Sequence, residues 1–293
     1  MKREAAIVGR TGALFALIAF FGIAAQAGNG KPLPPIAPED IPCPAVQPTV
    51  ILKFDDVKPM KSGRIHPRWT KVAEYLERNG IRAGFGVICA GFEAKNAGPT
   101  REWIAERRAK GVVSFWLHGW DHAVWTTADG SRANEMSRRT ADEAFERLER
   151  CQKLAREQFG FAFRAYGPAG GVGGGSIDAE ALKALKRQRD IKVVMYPQPD
   201  DEASLAYKGD RELMILDRVW QVNVEGSVGI PDYQRFLHGW AKNLKRKFVV
   251  LQSHPAMWDD ARFAEFEKIM EFLKGRNVKF MTPEEYYDGV YAK

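Results

Sequence analysis

The chain has 293 residues, 45% of them hydrophobic, which is enough for one large domain or two modest ones. Its formal net charge is +7, and a basic balance can indicate a nucleic acid or an acidic surface as partner. Here Lys and Arg alternate with Glu and Asp, as in residues 101–110 and 138–156, which is typical of a solvated mixed-charge surface. The composition therefore argues against nucleic acid as a partner.

Residues 1–27 have the three-part pattern of a secretory signal peptide. Basic residues come first, an uncharged apolar run covers residues 12–25, and Ala25-Gln26-Ala27 offers small residues at both positions of a cleavage site. A membrane anchor is the alternative, but the 14 residues of this run are fewer than the ~20 that cross a bilayer. We expect an exported protein, periplasmic or secreted, whose mature chain starts near Gly28 and has no stable membrane span.

Residues 28–47 are rich in Pro and Gly and predict an N-terminal arm with no domain of its own. The chain has three cysteines, Cys43, Cys89 and Cys151. This odd number permits one disulfide and one free thiol in an oxidising compartment. The absence of C-x-x-C spacing in the sequence argues against a cysteine zinc site.

Short apolar runs alternate with helical patterns in residues 48–293, which predicts a single α/β domain. The predicted strands are 49–54, 82–89, 112–117, 161–166, 191–196, 213–216, 247–252 and 278–281. The predicted helices are 68–78, 100–110, 134–159, 178–189, 233–244 and 262–274. Seven or eight such βα units predict a distorted (β/α) barrel with about seven parallel strands, and a doubly wound open sheet is the alternative.

Acidic and histidine side chains follow three of the predicted strands. Asp55 and Asp56 end the first strand, and His118 and His122 follow the third. His254 follows the seventh strand. Since the carboxyl ends of parallel strands form the active-site rim, we expect these side chains to meet.

One Asp with two His four residues apart forms a metal triad that leaves coordination positions open, as a catalytic zinc or another divalent ion requires. A spare Asp and a spare His then remain as base and acid. Non-haem iron oxygenases use a similar triad, but they usually take the first His and the carboxylate from one H-x-D/E segment, which is not the pattern here.

Two adjacent carboxylates raise each other's pKa unless a cation intervenes. A metal on one aspartate and an arginine on the other would resolve this, and Arg164, on the predicted strand 161–166, is the candidate arginine. The following Gly-rich stretch, 167–175, lacks the spacing of a phosphate-binding loop and predicts a flexible loop over the barrel mouth.

Three motifs and a C-terminal segment together resemble the polysaccharide deacetylases of carbohydrate esterase family 4, the NodB-homology family. L-K-F-D-D at 52–56 resembles the T-F-D-D motif of that family, and H-G-W-D-H at 118–122 resembles its H-[ST]-x-x-H motif. S-H-P at 253–255 is similar to its late L-x-H motif, and 280–287 resembles its C-terminal strand–helix junction. The order and spacing agree over residues 48–290.

This resemblance implies a distorted barrel and a metal-dependent removal of an N-acyl group from a sugar. By motif position, one divalent ion, with zinc as the first expectation, would be held by Asp56, His118 and His122. Asp55 would be the base that deprotonates water, and His254 the acid that protonates the leaving amine.

Three departures from the family pattern indicate a divergent branch. Gly119 replaces the usual Ser or Thr. In 163–168 the proline lies after Tyr166 instead of before it. This changes the segment that is expected to supply the backbone N–H donor to the oxyanion. The D-x-x-D-W segment is shortened to Asp217–Trp220 and keeps its first Asp and its Trp.

Substrate contacts are expected near these motifs. Tyr166 and Asp217 are candidate contacts, and Trp120, Trp220 and Trp258 are candidates for stacking on sugar rings, although core packing is at least as compatible with each Trp. Two other functions stay open: a non-catalytic carbohydrate-binding protein on a deacetylase barrel, and a deformylase or amidase acting on a lipid-linked or small substrate.

Overall fold

The expected alternation of strands and helices is present in the computed structural model, which describes residues 34–169, 177–195, 202–217, 219 and 221–291. The strands are β1 Thr49–Val57, β2 Ala83–Val87, β3 Val113–Leu117, β4 Val124–Thr126, β5 Arg132–Asn134, β6 Ala165–Tyr166, β7 Val193–Met195, β8 Met214–Leu216, β9 Glu225–Ser227, β10 Ile230–Pro231, β11 Phe248–Ser253 and β12 Lys279–Phe280. The helices are α1 Pro67–Asn79, α2 Gly98–Ala109, α3 Ala141–Phe159, α4 Ala179–Arg187, α5 Glu202–Leu205, α6 Tyr233–Ala241, α7 Asp260–Lys274 and α8 Pro283–Tyr291. Short 3-10 turns cover Pro38–Asp40, Cys89–Glu93 and Pro255–Met257.

Seven parallel strands form the central sheet in the order β11-β1-β2-β3-β6-β7-β8. The strand β12 pairs in parallel with the first two residues of β1. From β1 to β8 the spatial order follows the chain, so the order does not reverse as it does in a doubly wound sheet. The nearly closed barrel predicted from the sequence is confirmed, and the doubly wound alternative is wrong.

The barrel interior is filled by side chains. All five residues of β2 are buried, as are four of five in β3, which is the pattern of strands covered on both faces. Trp116 of β3 is fully buried and faces Gly86 of β2, its register partner. A Cβ atom at Gly86 would overlap the Trp116 ring, so glycine is needed there for the indole to fit.

The strand predicted at 161–166 is shorter than expected, because β6 contains only Ala165 and Tyr166. Gln152 of α3 explains the difference. Its amide is fully buried and exchanges two hydrogen bonds of 2.8 Å with the backbone N–H and C=O of Phe163. A side chain therefore satisfies the polar groups of Phe163 that a longer strand would have paired.

The helix predicted at 134–159 begins later than expected, at Ala141. Thr140 and Glu143 form a capping box there, in which each side chain bonds the backbone N–H of the other residue. Asn134, the first residue of the predicted helix, instead ends an antiparallel hairpin, β4–β5, that the sequence reasoning missed. A second missed hairpin, β9–β10, precedes α6. Both hairpins prove important for the site.

Part of the predicted arm and all three cysteines lie in the described residues. The arm packs on the barrel domain: Ile41 is buried, and the backbone N–H of Ile36 donates to Gln234 Oε1 at 3.0 Å. Cys43 is exposed, whereas Cys89 and Cys151 are buried, and all three are free thiols, so the disulfide considered above is not formed. In the part of the chain that the structure describes, no helix has the length and hydropathy needed to cross a membrane. The predicted signal peptide lies outside the described residues.

Candidate metal and catalytic site

Asp56, His118 and His122 converge at the carboxyl ends of β1 and β3. One ligand atom from each residue lies within 4.8 Å of the others. Asp56 Oδ1 is 3.3 Å from His118 Nε2 and 3.5 Å from His122 Nε2. Asp56 and His122 both have left-handed backbones, with φ of 80° and 59°. Such a conformation is uncommon outside glycine, and strained backbone of this kind clusters at functional sites.

The chemistry of these three donors fits a divalent ion. His118 Nδ1 lies 2.8 Å from the carbonyl oxygen of Gly167, so it carries the proton, and Nε2 presents a lone pair to the site. Asp56 Oδ1 and His118 Nε2 are both buried, and neither has a hydrogen-bond partner among the described residues. Burial alone would raise the pKa of Asp56, but the neighbouring imidazoles, His118 above all, lower it, so the carboxylate stays ionised.

Asp55 is buried beside the triad and is paired with a cation that the sequence reasoning did not name. Lys53 Nζ lies 2.7 Å from each carboxylate oxygen of Asp55. Gln252 Nε2 also donates to Asp55 Oδ2, at 2.6 Å. Burial raises the pKa of Asp55, yet Lys53 and then His118 and His254 lower it below its ordinary value. An ionised carboxylate is therefore held next to the triad.

The expectation that Arg164 pairs with Asp55 is corrected by this geometry. Arg164 precedes β6, at the amino end of the strand, and its guanidinium binds both carboxylate oxygens of Asp288 in α8, at 2.7 and 2.9 Å. The side chain is 44% exposed. The sequence does contain a sign of this pairing: Lys53 is an ionisable residue between Leu52 and Phe54, in the middle of an apolar strand.

His254, directly after β11, is held by a second residue that the sequence reasoning missed. Glu225, the first residue of β9, accepts from the backbone N–H of His254 at 2.7 Å and bonds its Nδ1 at 2.7 Å. The other ring nitrogen, Nε2, faces Asp55 Oδ2 at 3.8 Å. Burial by itself would lower the pKa of His254, but Glu225, Asp55 and Asp56 raise it to about 9. The imidazole can therefore hold a proton at neutral pH.

The expected aromatic stacking platforms are buried. Trp120 is 6% exposed, and the guanidinium of Arg150 lies 3.6 Å from its ring centroid. Trp258 is 3% exposed and donates its Nε1–H to Glu225 Oε1 at 2.8 Å. Neither ring can stack on a sugar in this conformation, so the stacking expectation is corrected for both, and the alternative of core packing holds: these rings pack the core around the site. Trp220 lies outside the described residues.

The two polar candidates for substrate contact also have other roles. Tyr166 ends β6 at the rim, but its side chain is fully buried. The backbone N–H of Gly167, next to it, donates to Leu117 O at 3.0 Å, and Pro168 has no N–H, so neither residue supplies the expected oxyanion donor. Asp217 pairs at 2.6 Å with Arg246, which precedes β11 and so lies at the opposite end of that strand from His254.

Comparisons with known proteins support the fold. No family model matches the sequence, and no curated protein matches it. Among solved structures, Puue allantoinase aligns with a TM-score of 0.59 at 9% identity, over 84% of this chain and 91% of that chain. A family 4 acetyl xylan esterase from Clostridium thermocellum, in complex with a cobalt ion, aligns with a TM-score of 0.51 at 14% identity, over 83% and 91%. A CE4 family pseudoenzyme from Bacillus anthracis aligns with a TM-score of 0.51 at 12% identity, over 83% and 66%. The resemblance to carbohydrate esterase family 4, as a divergent chain, is thereby confirmed for the fold.

Proposed function

We propose that this protein is a metal-dependent hydrolase that removes N-acetyl or other N-acyl groups from a sugar or polysaccharide of the cell envelope. The observation that carries the proposal is the grouping of Asp56, His118 and His122 with an ionised Asp55 on one side and a protonatable His254 beyond it. Asp55 Oδ2 lies 3.6 Å from His118 Nε2 and 3.8 Å from His254 Nε2, so base and acid flank one reaction space. Export, on the pattern of residues 1–27, is part of the proposal.

The triad would hold one divalent ion, with zinc as the first candidate, and this ion would acidify a bound water and polarise the acyl oxygen. Asp55, kept ionised by Lys53, takes the proton of the attacking water. His254, protonated because of Glu225, gives its proton to the departing amine as the C–N bond breaks. The amide and water thus become a carboxylic acid and an amine.

The second candidate function is non-catalytic binding of a carbohydrate on the same barrel. The engaged N–H of Gly167 favours it, since Gly167 donates to Leu117 O and Pro168 has no N–H, so neither of these two residues offers a backbone donor for an oxyanion. The intact pairs Lys53–Asp55 and Glu225–His254 favour catalysis, because each fixes the protonation state that the reaction needs and that binding alone does not.

The deciding experiment measures metal content and acetate release together. Protein loaded with zinc or cobalt is incubated with a panel of N-acetylated oligosaccharides, and released acetate is compared with a metal-stripped sample. Acetate release that depends on the metal supports the hydrolase. Metal and glycan binding without release of acetate, formate or another acyl group from any substrate would establish the binding protein instead.

A further inference from the structure

The two histidines of the triad lie on a five-residue loop, 118–122, whose backbone is tied from both sides. On one side, the carbonyl oxygens of Gly119 and Trp120 accept from the backbone N–H groups of Cys89 and Ala90, at 3.1 and 2.7 Å. On the other side, the N–H groups of Trp120 and Asp121 both donate to a single carboxylate oxygen, Oε2 of Glu135, at 2.8 and 2.9 Å. The two peptide groups at the middle of the loop, 119–120 and 120–121, are thus each fixed by hydrogen bonds through both their C=O and their N–H.

Glu135 reaches the loop because the β4–β5 hairpin returns the chain to it. Glu135 follows β5 directly and is 1% exposed. Its buried charge is balanced by Arg147 of α3, whose Nη2 lies 3.3 Å from Glu135 Oε2 and 2.9 Å from Asp121 Oδ1. Burying an ionised carboxylate is costly without such partners. The fold therefore places a balanced charge behind the loop, not on its solvent side.

Gly119 is the counterpart of Glu135 on the loop. Its backbone has φ of 91°, which glycine adopts without strain, and a Cβ atom there would overlap Glu135 Oε1. A larger residue at 119 would thus need both a strained backbone and the displacement of the carboxylate. This gives a physical reason for the departure from H-[ST]-x-x-H: the space where a Ser or Thr side chain would start is occupied by Glu135.

We propose that Glu135 is a positioning residue that sets the geometry of the His118–His122 pair for metal binding. The inference rests on the proposed metal site and adds a residue that the motifs do not contain. Without the carboxylate, the buried N–H of Trp120 and the part-buried N–H of Asp121 lose their acceptor, and the loop can turn to satisfy them elsewhere. His122 then shifts relative to His118, so the ligand atoms of the triad would be less well placed to bind the metal. Outer partners of metal ligands typically contribute about 10–100-fold to metal affinity.

Glu135→Gln is the direct test, because it keeps the size of the side chain and weakens its two charge-assisted hydrogen bonds. Metal-stripped protein is titrated with Co²⁺ against a competing chelator, and the absorption spectrum of the bound ion is recorded. The expected result is a loss of about 10–100-fold in Co²⁺ affinity with a changed spectrum, as for removal of an outer partner. The matched control is Glu93→Gln, which removes another Glu–Arg pair to α3, with Arg150 at 2.8 Å, and should leave both readouts unchanged.

Gly119→Ala disrupts the same contact from the loop side, because its Cβ atom would overlap Glu135. It tests the proposal independently if Glu135→Gln fails to fold. Because both residues act through one contact, the double variant Gly119→Ala/Glu135→Gln should lose less affinity than the product of the two single losses. Wild-type affinity and spectrum in the folded single variants would overturn the proposal, and so would fully multiplicative losses. A wild-type protein that binds no Co²⁺ would instead refute the proposed function.

Discussion

The proposed base and the proposed acid are each held by a buried ion pair, but the two pairs are built in opposite ways. Lys53 and Asp55 are two residues apart on the same strand, and the charge of Lys53 keeps Asp55, the proposed base, ionised. Glu225 and His254 are 29 residues apart, and the charge of Glu225 keeps His254, the proposed acid, protonated. The first pair follows from the local alternation of one strand, whereas the second needs the β9–β10 hairpin to pack against the end of β11.

The comparison shows how one site can keep a base ionised and an acid protonated within a few ångströms. Asp55 Oδ2 and His254 Nε2 are 3.8 Å apart, and each residue has its own counter-charge: Lys53 contacts both oxygens of Asp55, and Glu225 bonds the other ring nitrogen of His254. Pairs of titratable groups whose surroundings separate their pKa values are typical of acid–base catalysis. If this interpretation is right, substitutions in the two pairs should have different effects on activity, metal affinity and pH dependence.

The largest effect is expected from removing the reacting groups themselves. Asp55→Asn and His254→Ala should each lower kcat by about 10²–10⁴-fold, the usual cost of losing a positioned base or acid. Both variants should still bind one Co²⁺, because neither residue belongs to the triad. Acetate release and metal stoichiometry are measured on the same samples. Near-normal rates in both variants would refute the division of roles between Asp55 and His254.

The next largest effect is expected from Lys53→Met, which leaves Asp55 buried without its cation. Breaking a buried pair in this way should lower the free energy of unfolding of the metal-free protein by about 3–5 kcal/mol. Activity should fall by about 10–100-fold, as when an outer partner is lost. Metal affinity should rise, since a second unbalanced carboxylate then faces the divalent ion.

The rise in metal affinity is what separates this role of Lys53 from simple support of the fold. A structural defect alone would lower Co²⁺ affinity along with stability. Lys53→Arg, which keeps the charge, is the control and should hold affinity near the wild-type value. A lower affinity in Lys53→Met would show that the pair serves packing and not the electrostatics of the site.

A smaller effect, visible mainly as pH dependence, is expected from Glu225→Gln. In the wild type Glu225 helps to raise the pKa of His254 to about 9, and as the proposed acid His254 must react in its protonated form, so kcat/KM should fall as the pH rises through about 9. Without the Glu225 charge, this limb should move down toward the ordinary value of 6.5, by about one pH unit or more. The measurement is kcat/KM between pH 5 and 10.

Stability gives an independent check on the same pair. Because the pKa of His254 is raised in the folded protein, the pair stabilises the fold fully below 6.5, and this contribution is lost as the pH rises through about 9. The difference in free energy of unfolding between wild type and Glu225→Gln should therefore shrink over that range. Glu265→Gln, which removes another carboxylate bonded to a backbone N–H, should show no such trend.

Particular residues explain how far the sequence could predict this site. Asp56, His118, His122, Asp55 and His254 each follow an apolar run, so periodicity placed them at one rim. Glu225 begins one hairpin and Glu135 follows another, and both hairpins are too short to give a periodic pattern. The roles of these two residues also depend on burial by residues distant in sequence. For Trp120 and Trp258 the sequence left sugar stacking and core packing both open, because a motif lists neighbours along the chain and not the side chains that cover them.

The smallest effect is expected from Arg164→Ala, and it tests whether Lys53 has taken the role first expected of that arginine. Arg164 pairs with Asp288 at 44% exposure, at the amino end of β6 and away from the rim. Exposed pairs of this kind contribute about 0–1 kcal/mol, so the melting temperature should change little. Activity and Co²⁺ affinity should stay within about twofold of wild type, since surface changes are usually within ±0.5 kcal/mol. A loss of activity comparable to that in Lys53→Met would mean that Arg164 reaches Asp55 during the proposed reaction. The Lys53–Asp55 pair would then not be the only source of positive charge that keeps Asp55 ionised.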